Sequence, residues 1–140
     1  HGGMVLGVND GAAHIYHQHD ASSPGYNAFT HLVRNYSVLT AAVVATRMSV
    51  VEEIGGYDES FAMDYNDIDF CMKLIERGYR VVYTPYAELY HFEGQVMIRT
   101  EQLGREAARF AQKWRPWVEA DPHYNINLSR TRLDFALRGE

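Results

Sequence analysis

Asp67 and Asp69 stand at the head of a helix-like run, His91 lies in Glu88-Leu89-Tyr90-His91-Phe92, and His14, His17, His19 and Asp20 crowd one N-terminal segment. Each set could do chemistry. A carboxylate within hydrogen-bond reach of a hydroxyl can take its proton as general base. An imidazole can ligate a divalent ion or assist a leaving group. Histidine with carboxylate is a donor set that suits zinc, manganese and similar ions, although the spacing of His14, His17 and His19 matches no specific site. The stretch from Gly55 to Phe70, GGYDESFAMDYNDIDF, is the densest: five acids fall within twelve residues beside a glycine pair and four aromatics.

Spacing separates the two aspartates. Residues two apart on a helix point about 200° away from each other, so Asp67 and Asp69 cannot both face one reacting atom. Asp69 is in phase with Lys73 and reads as a solvated i, i+4 ion-pair partner. Asp67 is in phase with Phe70 and Leu74, leans toward a surface groove and is the better chemical candidate. The plain alternative is that Asp67 only complements the positive end of its helix. His91 likewise reads either as a ligand or as a half-buried structural residue.

The elements that must position these groups are those of an α/β chain. Residues up to about Tyr36 give one short strand around Met4-Val5-Leu6 and then a long loop. Val38–Thr46, with β-branched residues and alanines, has the pattern of a buried central strand. A helix over 48–54 follows, with Ser49 as cap, Glu52 completing a capping box and Gly55-Gly56 as terminator. The next helix runs from Asn66 to Arg77. Asn66 caps it, Asp67 and Asp69 sit in its first turn, Gly78 closes it, and Ile68, Cys71, Met72 and Ile75 form the buried stripe. Strands follow at Tyr79–Tyr83 and Glu88–Phe92, then a helix from about Glu101 to Trp114 that Pro116 stops. Asp121-Pro122-His123-Tyr124-Asn125-Ile126-Asn127-Leu128 is a turn-rich tail before an apolar stretch around Leu133–Ala136.

The 140 residues amount to about one domain. A formal charge of −5 and a pI near 5.8 argue against nucleic acid as partner, since phosphate binding needs clustered Lys and Arg. Cys71 is the one cysteine, which excludes an internal disulfide and a multi-cysteine zinc site and fits a reducing compartment. The longest weakly polar run is far short of the roughly 18 residues of a membrane span.

Taken together, Gly55-Gly56-Tyr57-Asp58-Glu59, Asn66-Asp67-Ile68-Asp69-Phe70-Cys71-Met72-Lys73, Gly78-Tyr79-Arg80-Val81, Tyr83-Thr84-Pro85 and His91 resemble the acceptor-side half of a family 2 glycosyltransferase of the GT-A fold, in particular the bacterial rhamnosyltransferase-like group. The tail resembles the Asp-Pro-Tyr-Tyr-Asn-Pro-Asn-Leu ending often found there. The resemblance covers nearly the whole chain. It implies a partial GT-A fold, a mixed sheet with flanking helices and the donor-binding half missing, so that residues 1–140 are the acceptor-side part of a longer enzyme and inactive alone. It also implies inverting transfer of a sugar from a nucleotide-diphospho-sugar to a saccharide or other hydroxyl acceptor. In that reading Asp67 is the general base, Tyr57, Asp58, Tyr65, Asn66 and Asp69 bind the acceptor, and His91 reaches a metal, Mg²⁺ or Mn²⁺, at the diphosphate of the full-length enzyme. Asn66 stands where the family usually has glutamate, and the family's Asp-x-Asp metal motif is absent from the residues before it. The resemblance further implies a cytoplasmic location. It is compatible with peripheral association at the inner face of the cytoplasmic membrane and with a homodimer formed through surface the missing half would cover. The competing classes are a non-catalytic module that binds carbohydrate or protein through the same aromatics and acids, and a metal-binding domain centred on the histidines.

Overall fold

The computed structural model describes residues 2–8, 11–62, 64–91 and 100–139. Strand β1 (Met4–Val8) turns back into β2 (Gly11–His14) as an antiparallel hairpin in which Met4 faces His14 and Leu6 faces Ala12. Strand β3 (Arg34–Tyr36) pairs antiparallel with β4 (Val81–Tyr83), Arg34 opposite Tyr83. The helices are α1 (Met48–Glu53), α2 (Asn66–Glu76), α3 (Thr100–Lys113) and α4 (Arg115–Glu119). The α/β class stands. The single mixed sheet does not: among the described residues there are two small antiparallel sheets.

The alternation of β1 explains how such small sheets hold a core. Met4 and Leu6 join the larger apolar cluster with Val38, Phe61, Ile68, Phe70, Met72, Phe110 and Trp114. Val5, on the other face, joins Ile15, Tyr16, Tyr124 and Phe135. Successive strand residues point to opposite faces, so one five-residue strand serves both clusters. The strand on which the core is built is therefore β1, and the loop expected from there to about Tyr36 contains both β2 and β3.

Val38–Thr46 is not a strand. Val38 makes one bridge to Met4 and is buried, but from Ala41 onward the chain is exposed, with Val43 50% and Val44 41% accessible. Its backbone donates to side chains of α2 instead of to a ladder: Leu39 N–H to Cys71 Sγ at 3.5 Å and Ala41 N–H to Asp67 Oδ2 at 3.0 Å. Residues 87–91 likewise form no strand, Phe92 lies outside the described residues, and Leu89 and Tyr90 are exposed.

The helix readings hold in their cores and fail at their caps. Helix α1 is preceded by Arg47 with no side-chain cap, so the Ser49 capping box does not form, while Gly55 and Gly56, both at positive φ, terminate the helix as expected. Helix α2 begins at Asn66, but the cap position belongs to Tyr65, in the left-handed region at φ 61°, whose carbonyl accepts the Asp69 N–H at 2.8 Å. Gly78, φ 83°, closes α2 as the sequence suggests. The break between α3 and α4 falls at Trp114, and Pro116 lies in the first turn of α4, where a missing N–H costs little.

Candidate active site

The start of α2 is fixed from below. Tyr65 packs its ring on Phe110 at 5.1 Å between centroids, and a Cβ on Gly11 would come within 2.9 Å of that ring, so β2 lies directly against it. Asp64 N–H reaches Glu106 Oε2 on α3 at 2.9 Å. This aims the next two residues, half-buried Asn66 and Asp67, toward the segment after Val38. Asp67 Oδ1 accepts its neighbour Ile68 N–H at 2.9 Å and Oδ2 accepts Ala41 N–H. Two backbone donors orient the carboxylate, and a carboxylate has about four lone-pair positions, so acceptor capacity remains.

Tyr57 lies beside it. Its ring stacks on Phe70 at 4.6 Å with 22° between planes, and the side chain is 46% exposed. Partial burial raises the phenol above its ordinary value, and the negative charge of Asp67 raises it further. Buried Cys71, one turn on from Asp67, is pushed up to about 11, mainly by burial, which makes it an inert thiol rather than a nucleophile.

Asp69 has the opposite fate. The expectation that it lies on the solvated side of α2 is corrected: its side chain is fully buried. Oδ1 accepts Trp114 Nε1–H at 2.8 Å and Lys113 Nζ at 2.6 Å, while Oδ2 has no hydrogen-bond partner and Lys73 Nζ stands 3.9 Å away. With no surface of its own, Asp69 does not fit the acceptor-binding role the resemblance gave it. The same two lysines grip the loop around Tyr57. Lys73 donates to the Gly56 carbonyl and Lys113 pairs with Asp58 Oδ2 at 3.2 Å. Tyr57 is thus held on both flanks by cations that converge on one buried carboxylate. Burial alone would lower the Lys113 ammonium, but Asp69 and Asp58 outweigh it and the net shift is upward. Asp58, hydrogen-bonded by the Ser60 hydroxyl and N–H and paired with Lys113, is held down to about 2.

The charge of Asp67 thus reaches the Tyr57 phenol, with Asp58 next to Tyr57 and with Tyr65 and Asn66 next to Asp67 in the chain, whereas among the described residues no hydrogen bond, ion pair or ring contact joins His91 to them. His91 is exposed, outside any strand. Among the described residues no three His, Cys, Asp or Glu side chains come together as a metal site, the His14, His17, His19 and Asp20 group included. The described residues thus do not by themselves fit a divalent cation. Sequence reasoning paired Lys73 with Asp69 but missed Lys113 and Trp114, which complete the frame of the site. Residues 68–72 of α2 are all buried, so the helix is enclosed on more than the one stripe its apolar spacing suggests.

Two relatives span the chain almost end to end. It is 34% identical over 144 residues to uncharacterized protein y4gI of Sinorhizobium fredii, covering 98% of this chain and 16% of that protein. It is 32% identical over 150 residues to the O-antigen biosynthesis protein RfbC of Myxococcus xanthus, covering 99% of this chain and 11% of that protein. A shorter match, 36% over 55 residues, is to the pre-mycofactocin glycosyltransferase of Mycobacterium tuberculosis, over 39% of this chain and 12% of that protein. The chain spans about a sixth or less of the length of these relatives. No family model and no solved structure matches.

Proposed function

We propose that this chain is the acceptor side of a longer glycosyltransferase of the family 2, GT-A type, and that Asp67 is its general base. An acceptor hydroxyl stacked beside Tyr57 gives its proton to Asp67 as its oxygen bonds to the anomeric carbon of a nucleotide-diphospho-sugar. The bond from that carbon to the diphosphate oxygen breaks, the nucleoside diphosphate leaves with the electron pair, and the configuration inverts. The observation that carries the reading is the pairing of a half-buried carboxylate, oriented by two backbone N–H groups with lone pairs to spare, and an exposed tyrosine face. Sugar transfer in general is supported by the names of the O-antigen and mycofactocin relatives. Hexosyl or deoxyhexosyl transfer of the rhamnosyltransferase kind is the finer proposal, as is a cytoplasmic site of action. A divalent cation at the diphosphate belongs to the same proposal, with His91 able to offer one ligand, and no step here runs through it.

The test is release of nucleoside diphosphate by the full-length protein from a panel of UDP-, GDP- and dTDP-sugars with glycan acceptors. Asp67→Asn keeps the shape and cannot take the proton, so turnover should fall by about 10²–10⁴-fold, while the melting temperature drops only slightly, because the amide can still accept one of the two backbone N–H groups and the exposed Ala41 N–H can turn to water. The 140-residue piece alone should transfer nothing. Full turnover by Asp67→Asn would refute the base; binding of glycans by the full-length protein without any turnover would favour the non-catalytic module.

A further inference from the structure

The tail motif has no part in the chemistry above, yet the fold builds a groove with it. Asp121 is buried and both oxygens of its carboxylate are engaged: they accept Leu6 N–H at 2.9 Å, the Ser37 hydroxyl at 2.5 Å and His123 N–H at 2.9 Å. Asn125 Oδ1 accepts Asn127 N–H at 2.9 Å, which sets the following turn. The tail is thereby fixed against the start of β3, and the two line a shallow groove of about 670 Å³, with Arg34 and Asn35 on one side and His123, Asn125 and Ile126 on the other.

Arg34 decides what the groove prefers. Its guanidinium lies 3.4 Å over the Phe29 ring and 5.4 Å from that of Phe135, and it donates to the Tyr36 hydroxyl at 3.3 Å. No carboxylate pairs with it among the described residues. A stacked guanidinium has five donors in a fixed fork that matches carboxylate or phosphate, and here one of them is committed. The nearest acid in the wall, Asp121, already has three donors on it. The imidazole of His123 and the exposed amide of Asn125 add groups that hydrogen-bond to hydroxyls.

We propose that the groove between Arg34 and the 121–126 turn is a second binding site, for a saccharide carrying an oxyanion, carboxylate or phosphate, with Arg34 as the anion ligand. The site is independent of the role given to Asp67.

Calorimetric titration of the full-length protein with digalacturonate, glucose 1-phosphate, lactose and inorganic phosphate tests it, in the parent, Arg34→Met and Asn125→Ala. The first two probes separate carboxylate from phosphate as the anion. At least one should bind the parent about 10-fold or more tighter than lactose, and Arg34→Met should lose about 10- to 100-fold, the range for a charge-assisted hydrogen bond. Asn125→Ala loses the exposed amide and its bond to Asn127 N–H but leaves the Arg34 stack intact and should weaken binding several-fold; thermal melting of both variants guards against misfolding. Equal binding by parent and both variants, no binding of either charged sugar, or equal affinity for inorganic phosphate and glucose 1-phosphate would each overturn the proposal.

Discussion

Lone pairs and burial separate the roles of two aspartates two residues apart. Asp67 accepts two backbone N–H groups and stays half-exposed; Asp69 is sealed against Trp114 and two lysines. Asp67→Asn should therefore cut turnover with only a small loss of stability, from the one backbone N–H its amide cannot accept, whereas Asp69→Asn should lower stability first. Asp58 gives a pH signature. Its folded carboxyl, held near 2 by Ser60 and Lys113, lies below the ordinary value of about 4. A depressed carboxyl adds stability above its unfolded pKa and loses it as pH falls through the folded one. The melting temperature should thus drop between about pH 4 and pH 2, and less steeply in Asp58→Asn than in the parent. Identical acid limbs in a calorimetric series would show that this group is not coupled to folding.

At the scale of elements, α2 with its glycine stop was legible because local rules and tertiary packing agree there: apolar spacing, acids in the first turn and Gly78 at positive φ all point the same way. The Val38–Thr46 strand was misread because β-branched residues beside alanines describe local preference only. The tertiary fold instead sets the Leu39 and Ala41 amides on Cys71 and Asp67. The clamp across α2, α3 and the 56–58 loop was illegible for another reason, since Lys113 lies 44 positions from Asp69 and no local pattern links them. It is testable through Lys113→Met. That change removes the closest cation from a buried carboxylate, and since the lysine is itself 35% exposed the cost should be about 2–4 kcal/mol by urea unfolding, below the usual figure for a sealed pair. Lys113→Arg should recover most of it.

The whole molecule hangs on β1, with one cluster on each face, and the sequence placed this strand without showing that it is central. What it could not show is the tie that joins the two clusters, because the groups involved come from three distant segments. Asp121 binds the Leu6 N–H of β1, the Ser37 hydroxyl just past β3 and its own turn at His123. Leu6 and Ser37 are fully buried, so losing the carboxylate strands an N–H and a hydroxyl away from water. Each unsatisfied group costs about 1–3 kcal/mol, and Asp121→Ala should be among the most destabilising single changes in the chain, by about 3 kcal/mol or more. Asp121→Asn retains a side-chain carbonyl that can accept from Leu6 or Ser37 and should recover part of that loss. Hydrogen exchange separates this tie from a general loss of stability: in Asp121→Ala the Leu6 and His123 amides should lose protection before amides in the middle of α2. Uniform loss across both regions would mean that the two clusters unfold as one unit without needing Asp121 to couple them.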